Sequence, residues 1–153
     1  MFGTRTFRWW CLGVSGFLIA TAALASDCGK PPDHEFLSGF LAGEYRIVGQ
    51  LPDAGAGYVG RLVLKAKANG FEVSRAIAAV TTKGTAAIET AVEDCPVLRI
   101  RFTLDAVEYE GTFLWRSDLD NYPRLTGYIY RRVGGTKSPG LEAWFPLAPL
   151  KRE

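Results

Sequence analysis

The sequence predicts an all-β domain: a single small antiparallel barrel of about eight strands, with a short helical turn before the first strand. Turn-forming residues recur about every 10 to 15 positions from residue 43 to residue 146. Apolar and polar side chains alternate between these turns. Several of the alternating segments pair as hairpins, and closing a hairpin-rich sheet removes its exposed edges. An open β-sandwich is the alternative.

The predicted elements are short and follow one another closely. A helical turn is expected at residues 36–41. Strands are expected at residues 44–51, 60–68, 71–80, 85–92, 97–104, 107–115, 125–132 and 141–145. Gly, Pro, Asn and Asp in most of the gaps favour turns. The strands are short and charged on their outer face, which disfavours a membrane-spanning barrel.

The clearest turn is Asn69-Gly70, which separates two alternating segments. Asn and Gly tolerate the positive φ angles of a type I′ turn, so a two-residue hairpin is predicted with Ala68 opposite Phe71. This register places polar side chains on one face of the hairpin and apolar side chains on the other. The agreement between turn type and alternation supports the hairpin.

Arg75 is the exception to this pattern, because it falls on the apolar face. A buried guanidinium needs a partner. We expect an internal carboxylate such as Glu89, a polar ligand, or a place near the barrel mouth where Arg75 reaches water. Small side chains in the third and fourth strands could leave a cavity for a ligand. They are Ala76, Ala78, Ala79, Ala86, Ala87 and Ala91.

A second hairpin is predicted around a short turn near Asp105-Ala106. Its outer faces set arginines beside glutamates across the strands, which is typical of a solvated sheet surface. The inner face of its second strand carries three large aromatic side chains, and these could line a binding site. They are Tyr109, Phe113 and Trp115.

The N-terminus has the three parts of a bacterial secretory signal peptide: two arginines, an apolar run, and the small-x-small site Ala23-Leu24-Ala25. A membrane anchor is the alternative, but the apolar run is short for the roughly 20 residues that a span needs. The mature protein is therefore expected in the periplasm or outside the cell. The predicted divisions are a signal peptide at residues 1–25, an N-terminal segment at residues 26–42, the barrel at residues 43–146 and a tail at residues 147–153.

Cleavage of the signal peptide changes the charge balance. The full chain has 18 basic and 16 acidic residues, and Arg5 and Arg8 are the charged residues of the signal peptide. The mature chain is therefore neutral, which disfavours a nucleic-acid partner. Cleavage also removes Cys11 and leaves Cys28 and Cys95, an even pair in an oxidising compartment. A disulfide between them would stabilise the fold by about 4 kcal/mol in the chain-entropy description.

A family resemblance lies in the turn and strand segments Gly43-Glu44-Tyr45, residues 58–64 and residues 69–73. These segments resemble the opening strands of small exported bacterial lipocalin-like (calycin-type) barrels. The glycine-punctuated strands around Gly111, Gly127 and Gly140 are also similar to that group. The resemblance implies a closed barrel and a binding role, and it points to no particular functional residue. The Gly-x-Trp of animal lipocalins is missing from the first strand.

Residue patterns for catalysis are scarce. The mature chain has one histidine, His34, with no nucleophile motif near it, which disfavours Ser-His-Asp and Cys-His chemistry. One histidine and two cysteines do not make a zinc site. The segment from Asp118 to Asn121 lacks the Gly and Glu of a calcium loop and favours a turn. We therefore expect no enzymatic activity, no metal and no cofactor.

Two binding functions remain for a barrel that does not span a membrane once its signal peptide is removed, and a catalytic barrel is a third and least favoured alternative, because its candidate carboxylates Glu108 and Glu110 fall on the charged outer face. The first is a carrier of a small apolar or amphipathic ligand, with Arg75 as polar anchor beside the aromatic side chains Tyr109, Phe113 and Trp115. The second is an inhibitor or immunity factor for an envelope hydrolase. A loop at residues 53–57, or one carrying Asp118 and Asp120, would block the active site, and acidic residues would suit a basic lysozyme.

The disulfide is directly testable. Peptide mapping of the exported protein under non-reducing conditions is expected to recover one linked peptide that contains Cys28 and Cys95. A bond requires their Cα atoms to lie within about 7 Å of each other. Two free thiols in the folded protein would contradict this bond and, with it, part of the argument for export.

Overall fold

The computed structural model describes residues 34–92, 95–117 and 123–147. The predicted signal peptide and its cleavage site, Cys28, and the pair Asp118 and Asp120 lie outside the described residues. The side chain of His34 also lies outside them. The functions predicted for these residues stay predictions.

The described residues form one helix and a closed barrel of eight antiparallel strands, in which each strand pairs with its neighbours in the sequence. The helix is α1 (His34–Leu41), and the strands are β1 (Gly43–Gln50), β2 (Gly57–Lys67), β3 (Gly70–Ile77), β4 (Val80–Thr90), β5 (Pro96–Leu104), β6 (Val107–Ser117), β7 (Pro123–Arg131) and β8 (Gly140–Pro146). β8 pairs with β1, from Tyr45 opposite Pro146 to Gln50 opposite Leu141. This pairing confirms the barrel and excludes the open sandwich.

Helix α1 packs its apolar side against the start of the barrel. Leu37 and Leu41 are buried, and Leu41 belongs to the main core cluster. The Tyr45 hydroxyl donates a hydrogen bond of 2.6 Å to the Leu41 carbonyl oxygen, which joins the end of α1 to β1. Within the described residues, no helix has the length and apolar character to cross a membrane.

The first predicted hairpin exists, but its register differs from the prediction by two residues. Lys67 lies opposite Gly70, and Ala66 rather than Ala68 lies opposite Phe71. Gly70 alone in this turn has a positive φ, at 133°, so the predicted type I′ turn at Asn69-Gly70 is wrong. A shift of two residues keeps every side chain on its predicted face, and Arg75 is still directed inward.

Of two further turns between strands, the first differs from the prediction and the second agrees with it. The third strand ends at Ile77, three residues earlier than expected, and Val80 begins β4 after a turn in which Ala78 has a φ of 51°. The turn after β5 agrees with the prediction: Asp105 and Ala106 both have positive φ, as a type I′ turn requires. Leu104 and Val107 pair directly beside it.

The interior is occupied by the protein's own side chains. The predicted small-residue wall does not form, because Ala76, Ala78 and Ala79 are exposed and Ala86 alone of the six alanines is buried. Glycines admit bulky neighbours, and a Cβ at Gly111 would lie 2.6 Å from the Phe113 ring. The largest fully buried side chains are Trp144, Arg75, Tyr45, Phe113, Leu37, Leu41, Ile47, Leu62, Leu64, Leu98, Ile100 and Leu125.

Gly70→Ala is expected to destabilise the protein by about 1 to 3 kcal/mol. Its φ is unfavourable for an L side chain, and a Cβ there would collide with the carbonyl oxygen of Ala86 on β4. Gly39→Ala in α1 is the control, because nothing lies near its Cβ position and alanine favours a helix by about 1 kcal/mol. Urea unfolding of both variants measures the difference, and equal midpoints would contradict the described turn.

Candidate functional site

The partner of Arg75 is a carboxylate inside the barrel. Arg75 is 1% exposed and Glu142 is fully buried, and the Arg75 guanidinium forms a direct ion pair with Glu142 Oε1 through Nη2. Among the described residues, these are the two charged side chains of the buried core. Glu89, which the sequence suggested, instead lies on the outer face and pairs with Arg99 and Arg101.

The barrel geometry brings the two partners together across the interior. Arg75 is on β3 and Glu142 is on β8, and these strands share no backbone pairing. Glu142 pairs in register with Gly49 on β1. A Cβ at Gly49 would lie 2.6 Å from Glu142 Cγ, so the glycine leaves the space that the carboxylate side chain occupies.

Two further donors complete the environment of Glu142. The Tyr58 hydroxyl donates a 2.5 Å hydrogen bond to Oε1, and the Trp144 indole N–H donates a 2.7 Å hydrogen bond to Oε2. Burial raises the pKa of Tyr58 above its ordinary value, and the Glu142 charge raises it further. Both carboxylate oxygens are therefore hydrogen bonded, which offsets the cost of burying the charge.

Arg75 is held by an aromatic ring as well as by the ion pair. Its guanidinium carbon lies 4.0 Å from the centre of the Phe102 ring, a cation–π contact, and Nη2 lies 3.2 Å from the Tyr58 oxygen. Arg75 Nε is buried and has no hydrogen-bond partner among the described residues. The positive charge of Arg75 therefore has its partners, the Glu142 carboxylate and the Phe102 ring, inside the protein.

The three aromatic residues predicted as a ligand wall pack into this same interior. Tyr109 stacks on Phe102 with ring centres 5.3 Å apart, and Phe113 contacts Trp144 with ring centres 4.2 Å apart. Trp115 is partly buried against the core. These rings bury one another around the ion pair and fill the space that the carrier hypothesis assigns to a ligand.

Two depressions of the described surface open to solvent. The larger, about 590 Å³, lies beside the β2–β3 turn and is lined in part by Phe71, Glu72 and Ala86. The smaller, about 180 Å³, lies over β4, β5 and β6 and includes Lys83 and Arg132 in its lining. The larger has the volume of a small-ligand site but is open.

Two loops at the same end of the barrel are joined by one side chain. They are residues 51–56 between β1 and β2, and residues 132–139 between β7 and β8, together called the paired loops. The Asp53 carboxylate accepts hydrogen bonds from the backbone N–H of Lys137 (3.0 Å) and Ser138 (2.8 Å). The Asp53 N–H donates to the Ser138 carbonyl oxygen (3.1 Å), and Arg131 lies 3.7 Å from the carboxylate. These bonds fix the two loops relative to each other.

Apolar side chains cover the outside of the strands that carry the paired loops. They are Val48, Val59, Tyr128, Tyr130 and Leu141, called the aromatic wall, and they are 39% to 54% exposed. In register, Val48 lies opposite Val59 and Tyr128 lies opposite Leu141, so the side chains are neighbours on one surface. Continuous exposed apolar surface of this kind marks interaction sites.

The opposite outer surface is charged, and its arginines and glutamates form ion pairs with one another. Arg101 pairs with Glu89 at 2.6 Å and with Glu110 at 2.8 Å, and Arg99 contacts the same two glutamates at 3.4 Å. This network confirms the prediction that arginines and glutamates lie side by side across the second hairpin. Hydrogen bonding to Arg101 lowers the pKa of Glu89.

Charge is also distributed unequally between the two outer surfaces. Among the outward side chains that the structure describes on β3 to β6 and their turns, carboxylates exceed cations: Glu72, Glu89, Asp105, Glu108 and Glu110 against Lys83, Arg99 and Arg101. On β1, β2 and the paired loops with their flanking residue Arg131, cations exceed carboxylates: Arg46, Arg61, Lys65, Lys67, Arg131, Arg132 and Lys137 against Glu44 and Asp53. A net charge near zero therefore conceals a basic side and an acidic side.

Sequence reasoning missed the residues that accompany Arg75. Glu142 alternates with Trp144 on the inner face of β8, so the same alternation that singled out Arg75 could have identified it. The contact between Tyr58 and Arg75 was also missed: it joins the neighbouring strands β2 and β3, but the two residues are not opposite each other, since Arg75 pairs in register with Leu62.

The fold is that expected of a lipocalin-like barrel, eight antiparallel strands closed in sequence order. The chain matches no known protein-family model, and a comparison with curated proteins finds no match either.

Arg75→Met is expected to destabilise the fold by about 3 to 5 kcal/mol, because it leaves the Glu142 carboxylate buried without its counter-ion. From the sequence alone we would expect the fold to survive this change. The double variant Arg75→Met/Glu142→Gln removes both charges and should recover much of the loss, since Gln can still accept from the Trp144 indole. Urea unfolding compares the three proteins, and a single variant as stable as wild type would contradict this role of the pair.

Proposed function

We propose that this protein is an exported, non-enzymatic barrel that acts by binding another protein of the cell envelope through its outer surface. The observation that carries the proposal is the placement of the apolar surface, which is the reverse of that in a protein that carries a ligand in its interior. The interior is filled around a neutralised ion pair, and the exposed apolar surface is on the outside. Localisation to the periplasm or beyond, and membership of the exported lipocalin-like barrels, are parts of the same proposal.

The packed interior argues against a ligand in the lumen. A ligand there would have to displace Trp144 or Phe113, or separate Arg75 from Glu142. Separating the pair would leave charges buried without partners, which costs several kcal/mol. The buried carboxylate is engaged by three donors, an arrangement that stabilises its charge and does not prepare it for acid–base catalysis.

The paired loops support an inhibitor or immunity-factor role within this proposal. Loops that are already fixed lose little conformational entropy on binding, which favours tight association. Asp53 is occupied by the Lys137 and Ser138 backbone amides, so an inhibitor built on these loops would not use this carboxylate as an acidic plug.

A carrier function is the second candidate, and the open depression beside the β2–β3 turn is the observation that favours it. Its volume of about 590 Å³ falls within the range of small-molecule sites. Phe71 and Ala86 give it an apolar floor, and Lys67 and Glu72 lie at its edge.

The two functions are separated by parallel assays on the mature chain. Trp115 and Trp144 both report on the interior and its margin, so titration with cis-parinaric acid and anilinonaphthalene sulfonate is expected to give no saturable quenching of their fluorescence. The immobilised protein is expected to retain a protein from envelope extract, with identity established by mass spectrometry. Saturable probe binding combined with no retained protein would replace the proposal with the carrier function.

A further inference from the structure

We infer that the aromatic wall and the paired loops form one docking surface, and that its occupant is a different, acidic protein with an apolar patch framed by carboxylates. This inference rests on the proposed function and specifies its surface and its partner.

The wall and the loops are continuous. Residues 51–56 connect the strands that carry Val48 and Val59, and residues 132–139 connect the strands that carry Tyr128, Tyr130 and Leu141. β8 pairs with β1, and Leu141 lies opposite Gln50, the last residue before the first of these loops. The two hairpins therefore present their outer faces and their loops on the same side of the barrel.

The exposed side chains have the composition of an interface centre. Tyrosine is enriched at protein interfaces because its ring is both apolar and able to hydrogen bond. Two tyrosines with ring centres 6.5 Å apart lie beside Leu141 and the two valines. In the paired loops, Val133 is 76% exposed and extends the apolar surface beyond the end of the barrel.

Two opposed arginines on this surface indicate that its partner carries negative charge. Arg46 and Arg61 lie directly opposite each other on the outer faces of β1 and β2, and like charges in such positions destabilise a sheet. Neither forms an ion pair with another described residue. Carboxylates of a partner would relieve this repulsion, because guanidinium groups bind carboxylates in a fixed two-point geometry. Lys137 adds a further exposed cation in the loops.

Other occupants fit the surface less well. A second copy docked by two-fold symmetry would bring this basic surface against itself. An anionic membrane would satisfy the charge, but it has no shape for the paired loops to match, and these loops are fixed by Asp53. Fixed loops beside an apolar, basic surface favour a folded protein of complementary shape and charge.

The decisive variant is Arg46→Glu. It replaces the repulsion across β1 and β2 with an attraction to Arg61, so the melting midpoint is expected to hold or rise. Affinity for the retained and then purified partner is expected to fall at least about tenfold, because the contact with its carboxylates becomes repulsive. Val133→Asp is expected to weaken binding by a similar factor. Biolayer interferometry at about 50 and about 300 mM salt measures both, and wild-type affinity should fall with salt.

Matched controls carry the same changes elsewhere. Lys67→Glu reverses an exposed charge beside the β2–β3 turn, at the end of the barrel opposite the paired loops, and Val92→Asp changes a valine that is 83% exposed at that same end. Both are expected to keep wild-type affinity within about twofold. Such retention, together with loss in Arg46→Glu and Val133→Asp, supports the inference; retention of the unidentified protein alone does not.

Several results would overturn it. A partner bound equally well by Arg46→Glu, or a basic partner such as a lysozyme, would place the docking surface elsewhere. Flotation with vesicles of roughly one-third phosphatidylglycerol that depends on Arg46 would assign the surface to the membrane. Sedimentation showing a dimer lost in Val133→Asp would assign it to a second copy. If no variant and no wild type retains any protein, the proposed function fails together with this inference.

Discussion

The ion pair between Arg75 and Glu142 joins two strands that share no backbone hydrogen bonds, and the interior is arranged around it. The two residues are 67 positions apart, on β3 and β8, and they meet across the interior. Phe102 and Tyr109 stack on the arginine side, while Trp144 donates to the carboxylate and packs on Phe113. Each charge is therefore surrounded by aromatic rings that also fill the barrel. A barrel of eight strands is just wide enough for its side chains to close the space.

Alternation in the sequence predicts the barrel well, because the constraint is local. Turn residues and a two-residue period determine which side chains face inward, and a register error of two at Asn69-Gly70 left every face correct. The turn itself was assigned wrongly, because Asn69 lies in the turn whereas Gly70 already begins β3, where a Cβ would collide with the Ala86 carbonyl oxygen. The Arg75 partner was not predicted, since nothing local in β3 indicates which distant strand supplies a carboxylate.

The outer surfaces show what the same alternation leaves undetermined. Side chains that point outward do not have to fit the core, so their identity is less constrained. On one side of the barrel they form a network of paired charges around Arg101. The other side carries exposed valine, leucine and tyrosine side chains together with cations, which include the opposed arginines Arg46 and Arg61. Composition gives a net charge of only +2 for the whole chain and hides this difference, because it sums over both sides. Separation of charge is a property of the closed barrel.

Closure between β1 and β8 has a consequence for how the chain folds. Tyr45 pairs with Pro146, so the first strand keeps one unpaired edge until nearly the whole domain has been synthesised. Hairpins between sequence neighbours can form early, whereas this contact is among the longest-range in the protein, and long-range pairing is slow. An open strand edge can recruit other chains while it waits. The arrival of the last strand therefore ends the period in which the nascent protein is exposed to aggregation.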